Sequence, residues 1–367
     1  MKKLGFMSSA LCAAIIVLGA GCAGSAPQGP DGGMIRSADG GLTWQLKSDL
    51  YTVGGKASNF STLDVNVLAA DPSDSRALWA GTMLNGILYS SNGGDAWSLS
   101  QVYSPAEMQL TQSRVNGMAV DPKNSCLVYA TITSPSTKSY LIRTTNCGRS
   151  WGLVYTNENP GAQLQAIAVS PFESSELFMG DSVGRILRSS NGGGSWQQGG
   201  HFDGAAVRQI VMHPKHNGEL YAATRQGGLF HSIDHAGTWV KADFRAFRGA
   251  DDVFTIALDP SAENSLLIGT KYGILRSTDA GASWNALRLV SAPNEVQIIS
   301  LAISPKNPQH IFYGTPTAFY KSEDGGATWN NKHVPTKRVI RAILIDPAKA
   351  ATDPETIFIA AWQLPQQ

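Results

Sequence analysis

Ser37-Ala38-Asp39-Gly40-Gly41-Leu42-Thr43-Trp44 decides the fold, because the chain repeats this phrase six more times. The later copies end at Trp97, Trp151, Trp196, Trp239, Trp284 and Trp329, at spacings of 53, 54, 45, 43, 45 and 45 residues. Asp234, Asp279 and Asp324 keep the acidic residue, whereas Asn92, Asn146 and Asn191 replace it. Ala236 stands for the usual Gly in the copy ending at Trp239, and Ala96 stands for the hydroxyl residue before Trp97. About midway between these phrases, an apolar run ends in a turn containing Pro72, Pro122, Pro171, Pro214, Pro260, Pro305 or Pro347. A second apolar run follows each proline, a third leads into the Trp phrase, and a fourth short run begins at the Trp.

Self-similarity at about 40–50 residues, with four short strands per unit and no helical periodicity, is the signature of a propeller blade. Seven proline turns and seven Trp phrases predict an all-β, seven-bladed β-propeller of four-stranded antiparallel blades. The ends supply the arithmetic. Residues 34–46 make half a unit and residues 339–362 make the complementary half. They complete one blade only if the ring closes on itself, a device that removes open sheet edges. The expected organisation is a single propeller over residues 34–367.

Residues 1–21 read as an export signal and not as structure: Lys2 and Lys3 precede an apolar stretch too short to span a bilayer. Its end, Leu18-Gly19-Ala20-Gly21-Cys22, resembles a bacterial lipobox, which implies lipidation of Cys22, with an ordinary cleaved signal as the alternative. Residues 22–33 then form a Gly/Pro/Ser tether. The literal GxGxxG at residues 19–24 lies inside the signal and has no strand–helix context, so it carries no nucleotide-binding meaning. Across 367 residues, 29 Lys+Arg balance 28 Asp+Glu. That balance argues against a nucleic-acid partner, which usually demands a strong basic excess.

The phrase S-x-D-x-G-x-T-W resembles the Asp-box, or BNR, repeat, and the resemblance covers essentially the whole mature chain. It implies a propeller but not one activity, since sialidases, xyloglucan-type glycosidases, sortilin-like receptors and photosystem II assembly factors share it. Physical reasoning makes the repeated residues structural. Asp39 and its counterparts accept backbone N–H bonds in a turn, the Gly supplies positive φ, and Trp44 and its counterparts cover a neighbouring blade while the indole N–H finds a partner.

Cys126 opens the second strand of its blade and Cys147 follows the third. A hairpin centred near Thr137 sets them nearly opposite, so they are either a disulfide or two buried thiols. Candidate binding residues come from aligning the innermost strands on their prolines. Six positions upstream stand Asn66, Asn116, Gln165, Arg208, Phe254, Ile299 and Arg341; eight upstream stand Asp64, Arg114, Gln163, Ala206, Asp252, Gln297 and Val339. Even spacing puts both sets on one strand side, expected to ring the mouth of the central channel, either as a ligand surface or as a hydrated opening. Asp64 and Asp252 are the only carboxylate pair in this ring and the candidate catalytic pair for a glycosidase. No sialidase arginine cluster with a Tyr–Glu pair is recognisable, sialidase propellers have six blades, and the xyloglucan-type enzymes resemble two propellers side by side. Arg338 belongs to a basic cluster with Arg245, Arg248 and Arg288 on the connection face. His213, His216 and His235, with Asp234, form a candidate surface metal site without a helical HExxH or a CxxC motif.

These readings predict a lipid-anchored cell-envelope propeller, facing the periplasm or displayed at the outer membrane. It would need no cofactor and serve as a non-catalytic binding or assembly scaffold for a protein or glycan. The alternative is a glycoside hydrolase of the Asp-box type.

Overall fold

The computed structural model describes residues 31–51, 58–72, 74, 76–100, 110–159, 161–346 and 354–363. Residues 1–21 and Cys22 lie outside the described residues. Seven four-stranded antiparallel sheets make the architecture, with one small ribbon pairing Asp49–Leu50 with Ser58–Asn59. The innermost strands neighbour one another in a closed cycle, from Val65–Ala70 through Arg114–Asp121, Leu164–Val169, Val207–Met212, Val253–Leu258 and Ser300–Ile303 to Val339–Ile345, which returns to Val65–Ala70. We number the blades 1 to 7 in that order. This is the seven-bladed propeller expected from the repeats.

Blade 7 is composite. Its inner strands Val339–Ile345 and Ile357–Trp362 come from the end of the chain, and Gly33–Ser37 and Gln45–Leu46 from the beginning. Ile359 pairs with Ile343 on one side and Ile35 on the other. The chain ends are therefore hydrogen-bonded into one sheet, which completes blade 7 and closes the ring.

Each Trp phrase folds into the same turn. The Ser or Thr hydroxyl donates to the Asx Oδ1 two residues on, from 2.7 Å at Ser37–Asp39 to 3.0 Å at Thr144–Asn146. That Oδ1 accepts the backbone N–H four residues beyond it, in all seven blades. The two central residues adopt positive φ, as at Gly325 (72°) and Gly326 (90°). The first of them docks on the proline turn: Gly192 N–H bonds Ser175 O, and Gly325 N–H bonds Gln309 O. Proline turns and Trp phrases thus share one face, and the connections between blades share the other.

The tryptophans fasten neighbouring blades. Trp44 meets Phe319 of blade 6 edge-on, and Trp196 meets Tyr155 of blade 2. Trp97, Trp239 and Trp329 donate their indole N–H to Lys47 O, Gly199 O and Arg288 O, all on preceding segments. The expectation that every indole N–H is satisfied fails for Trp44, Trp151 and Trp196, which find no acceptor among the described residues. Apolar contact, with no hydrogen bond, holds those three.

In blades 1 and 3 the contact with the next blade is close enough to require glycine in the second strand. A Cβ on Gly81 would lie 2.5 Å from Val115 of blade 2, and one on Gly180 would lie 2.5 Å from Val207 of blade 4. Blade 2 differs by its long hairpin, Asn124–Thr133 with Ser139–Thr144, and is closed by a disulfide between Cys126 and Cys147. The pairing Thr133↔Ser139 sets the hairpin tip beside Thr137, and Thr137 has φ 68°.

Candidate functional site

The inner strands do not present a side to the channel. Their two faces look at the blades before and after, and only the strand edge borders the axis. A β-bulge solves the problem of reaching it. In blade 1, Val65 pairs with Thr82 and Val67 with Gly81, so Asn66 has no partner and is pushed out of register. The same irregularity isolates Asn116, Gln165, Arg208, Phe254 and Arg341. With Ile299 of blade 6, these residues line a channel cavity of about 370 Å³.

This corrects the even-spacing expectation. The residues eight positions before the proline sit beyond the bulge, so alternation no longer links them to the six-position set. Asp64, Arg114, Gln163, Asp252 and Gln297 do not line the cavity and mark the strand starts at its rim. The bulge leaves a trace in the sequence. Positions seven and four before the proline are both apolar in every blade, as Val65 and Leu68 or Val207 and Ile210. An odd separation cannot share a face in a regular strand, but it does once one residue is extra.

Several bulged side chains stitch the ring. Asn66 Nδ2 donates to Val115 O of blade 2 at 2.7 Å, Asn116 Nδ2 to Leu164 O of blade 3 at 2.7 Å, and Arg208 Nη1 to Val253 O of blade 5 at 3.0 Å. Arg208 also lies 4.2 Å over the ring of Phe254 and 2.8 Å from Asp252 Oδ1, at an angle poor for a hydrogen bond. Arg341 Nε reaches Asn66 Oδ1 at 3.3 Å. Burial first, then the positive charges of Arg114 and Arg208, pull the Arg341 pKa down to about 10, which leaves it charged at neutral pH. Burial alone lowers Arg114, whose buried Nε has no acceptor.

Asp64 and Arg338 belong to a different structure, the seam where the ring closes. Arg338 donates to Asp31 Oδ1 at 3.1 Å, Asp64 Oδ1 at 2.6 Å and Thr62 O at 3.3 Å, and Gln363 N–H adds 2.8 Å to the same Asp64 oxygen. Its guanidinium fork is therefore largely committed. In the basic cluster, Arg245 is tied to Asp243 at 2.5 Å.

The histidine group divides. His213 and His216 stack at 4.1 Å beside Glu219, but His213 is saturated: Nδ1 accepts the N–H groups of Lys215 and His216, and Nε2 meets Glu263 O at 3.0 Å. His235 is not part of this group. Its Nδ1 sits 2.8 Å from Glu176 of blade 3, and Asp234 is used by its own turn. The proposed trio therefore does not converge, because each ring is spent on turn or inter-blade bonds. What sequence reading missed is this set of bridges, Glu176–His235 and His310–Glu355, which link successive blades on the proline-turn face.

No known family profile and no curated protein matches this sequence. Among solved structures, the GH74 xyloglucanase of Xanthomonas campestris superposes with a TM-score of 0.67 at 16% identity, over 82% of this chain and 51% of that one. The structure described as YCF48 bound to D1 peptide gives 0.60 at 18% identity, over 83% and 94%. The extracellular domain of the putative one-component system BT4673 from B. thetaiotaomicron gives 0.61 at 14%, over 86% and 38%. This chain spans about half the length of the GH74 enzymes. At these identities the likeness shows the fold: a seven-bladed propeller similar to those found in enzymes and in binding domains alike.

Proposed function

We propose that this chain is an exported propeller, anchored through a lipid on Cys22, that serves as a non-catalytic binding or assembly scaffold for a protein or a glycan at the cell envelope. The surface it offers is the connection face around the channel, with Arg114, Gln163 and Gln297 at the rim and Asn116, Gln165 and Arg341 below. The observation that carries this reading is the commitment of both candidate acids. Asp64 is held by Arg338 and the Gln363 N–H, and Asp252 by Arg208. Each carboxylate is ion-paired with an arginine of the ring, and neither lines the channel cavity. A peptide bound to one similar propeller and the extracellular domain of a putative one-component system built on another lend support. Among the described residues, no helix is long and apolar enough to cross a membrane.

The GH74 likeness keeps hydrolysis as the second reading. The two are separated by assaying the purified chain on xyloglucan oligosaccharides and, in parallel, capturing partners from the producing cells. A scaffold gives no turnover and a saturable partner that is lost when Gln163 and Gln297 are replaced by alanine at unchanged melting temperature. Turnover abolished by Asp64→Asn with Asp252→Asn would sink the scaffold reading.

A further inference from the structure

The channel mouth carries more arginines than carboxylates. Arg114, Arg208 and Arg341 come from blades 2, 4 and 7, so they are separated by two, three and two blades around the cycle. Three side chains cannot be distributed more evenly among seven blades. Only Arg208 has a carboxylate, Asp252. Asp64 is neutralised by Arg338 at the seam. No carboxylate pairs with Arg114 or Arg341 among the described residues, and the buried Nε of Arg114 lacks any acceptor. Three guanidiniums against one carboxylate leave two positive charges at the channel mouth, Arg341 on the wall of the cavity of about 370 Å³ and Arg114 at its rim. Packing like charges together at the cost of desolvation needs a compensating ligand.

We propose that the channel mouth binds a tetrahedral dianion, the phosphate of a phosphate monoester or inorganic phosphate, with Arg114, Arg208 and Arg341 as its three-sided clamp. A dianion neutralises the two uncompensated charges. Planar guanidinium forks approaching from three directions match three oxygens of a tetrahedral group better than the two of a single carboxylate. The Asn66 and Asn116 side chains, already fixed to the next blade, hold the wall in place around it. The inference rests on the reading that the channel mouth is a ligand surface and narrows the ligand to a chemical class.

The test is calorimetric titration of the full chain at low salt with inorganic phosphate, glucose 6-phosphate and acetate, repeated on Arg341→Gln and Arg114→Gln. The expected result is one saturable phosphate site that weakens roughly tenfold or more in each variant, as loss of a charged hydrogen bond implies. Acetate should bind far more weakly. Tighter binding of glucose 6-phosphate than of inorganic phosphate assigns the site to a phosphorylated solute or glycan; equal or weaker binding assigns it to free phosphate. Without phosphate, Arg341→Gln should melt no lower than the parent chain, because it removes like-charge repulsion; this control separates lost binding from lost folding. Absence of a saturable phosphate site, binding unchanged in both variants, or acetate binding as tightly as phosphate overturns the proposal. A chain that keeps its protein or glycan partner but takes no phosphate fails here and leaves the scaffold reading intact; one that takes phosphate but has no partner does the reverse.

Discussion

At Asp279 the carboxylate is held by the Ser283 hydroxyl at 2.5 Å, the Ser283 N–H at 2.8 Å and the Ser277 hydroxyl at 2.7 Å. These bonds, the Ser283 hydroxyl foremost, lower its pKa to about 2; Asp324 is lowered to about 2 in the same way, by Thr328 foremost. A depressed carboxylate stabilises the fold above its unfolded pKa of about 3.9 and loses that contribution as pH falls through the folded value. The urea midpoint should therefore drop between about pH 4 and about pH 2. The double variant Asp279→Asn, Asp324→Asn should show a shallower drop, because Asn146 and Asn191 make the same turn without titrating. Asp279→Ala removes the acceptor outright and should cost about 1 kcal/mol in chemical denaturation. The neighbouring Ala280 carries φ 57°, a conformation glycine adopts freely. Ala280→Gly should raise stability by about 1 kcal/mol, and an unchanged or lower urea midpoint would contradict that. The side-chain bonds within this turn were legible in the sequence, because they are local and their residues recur seven times.

The blade was legible as a unit, but its inner strand was not. Alternation assigns a residue to a face only while the ladder stays in register, and the bulge at Asn66, Arg208 or Arg341 breaks it. Paired faces also look at neighbouring blades, so no count along one strand identifies what meets the axis. The long-range partners of His235, Glu176 and Arg338 were hidden for a similar reason: they depend on the spacing of separate blades. Two substitutions probe the elements. Gly180→Ala drives a methyl to 2.5 Å from Val207 Cγ1 and should destabilise by about 1–3 kcal/mol. Replacing Cys126 and Cys147 together with serine opens a 21-residue separation and should cost about 3 kcal/mol by the loop-entropy estimate. Equal denaturation midpoints of the oxidised and reduced wild-type chain would refute the latter.

For the whole molecule, the seam is the decisive place. Arg338 joins residue 31 near the start, Asp64 at the entry to blade 1, and, through Asp64, Gln363 near the end. Arg338→Met should cost about 1–3 kcal/mol, the range for charge-assisted bonds discounted for partial exposure. The loss should be local: amide exchange in Gly33–Ser37 and Ile357–Trp362 should speed up while blades 3 to 5 stay protected. Uniform acceleration across all blades would show that the ring opens only as a unit. The composite blade also sets a timetable. Strand Gly33–Ser37 is made first and its partner Ile357–Trp362 last. A growing chain is therefore an unfinished arc with an unpaired strand waiting at its head. A chain truncated before residue 354 would remain such an arc, exposed to proteolysis and to strand exchange with other chains.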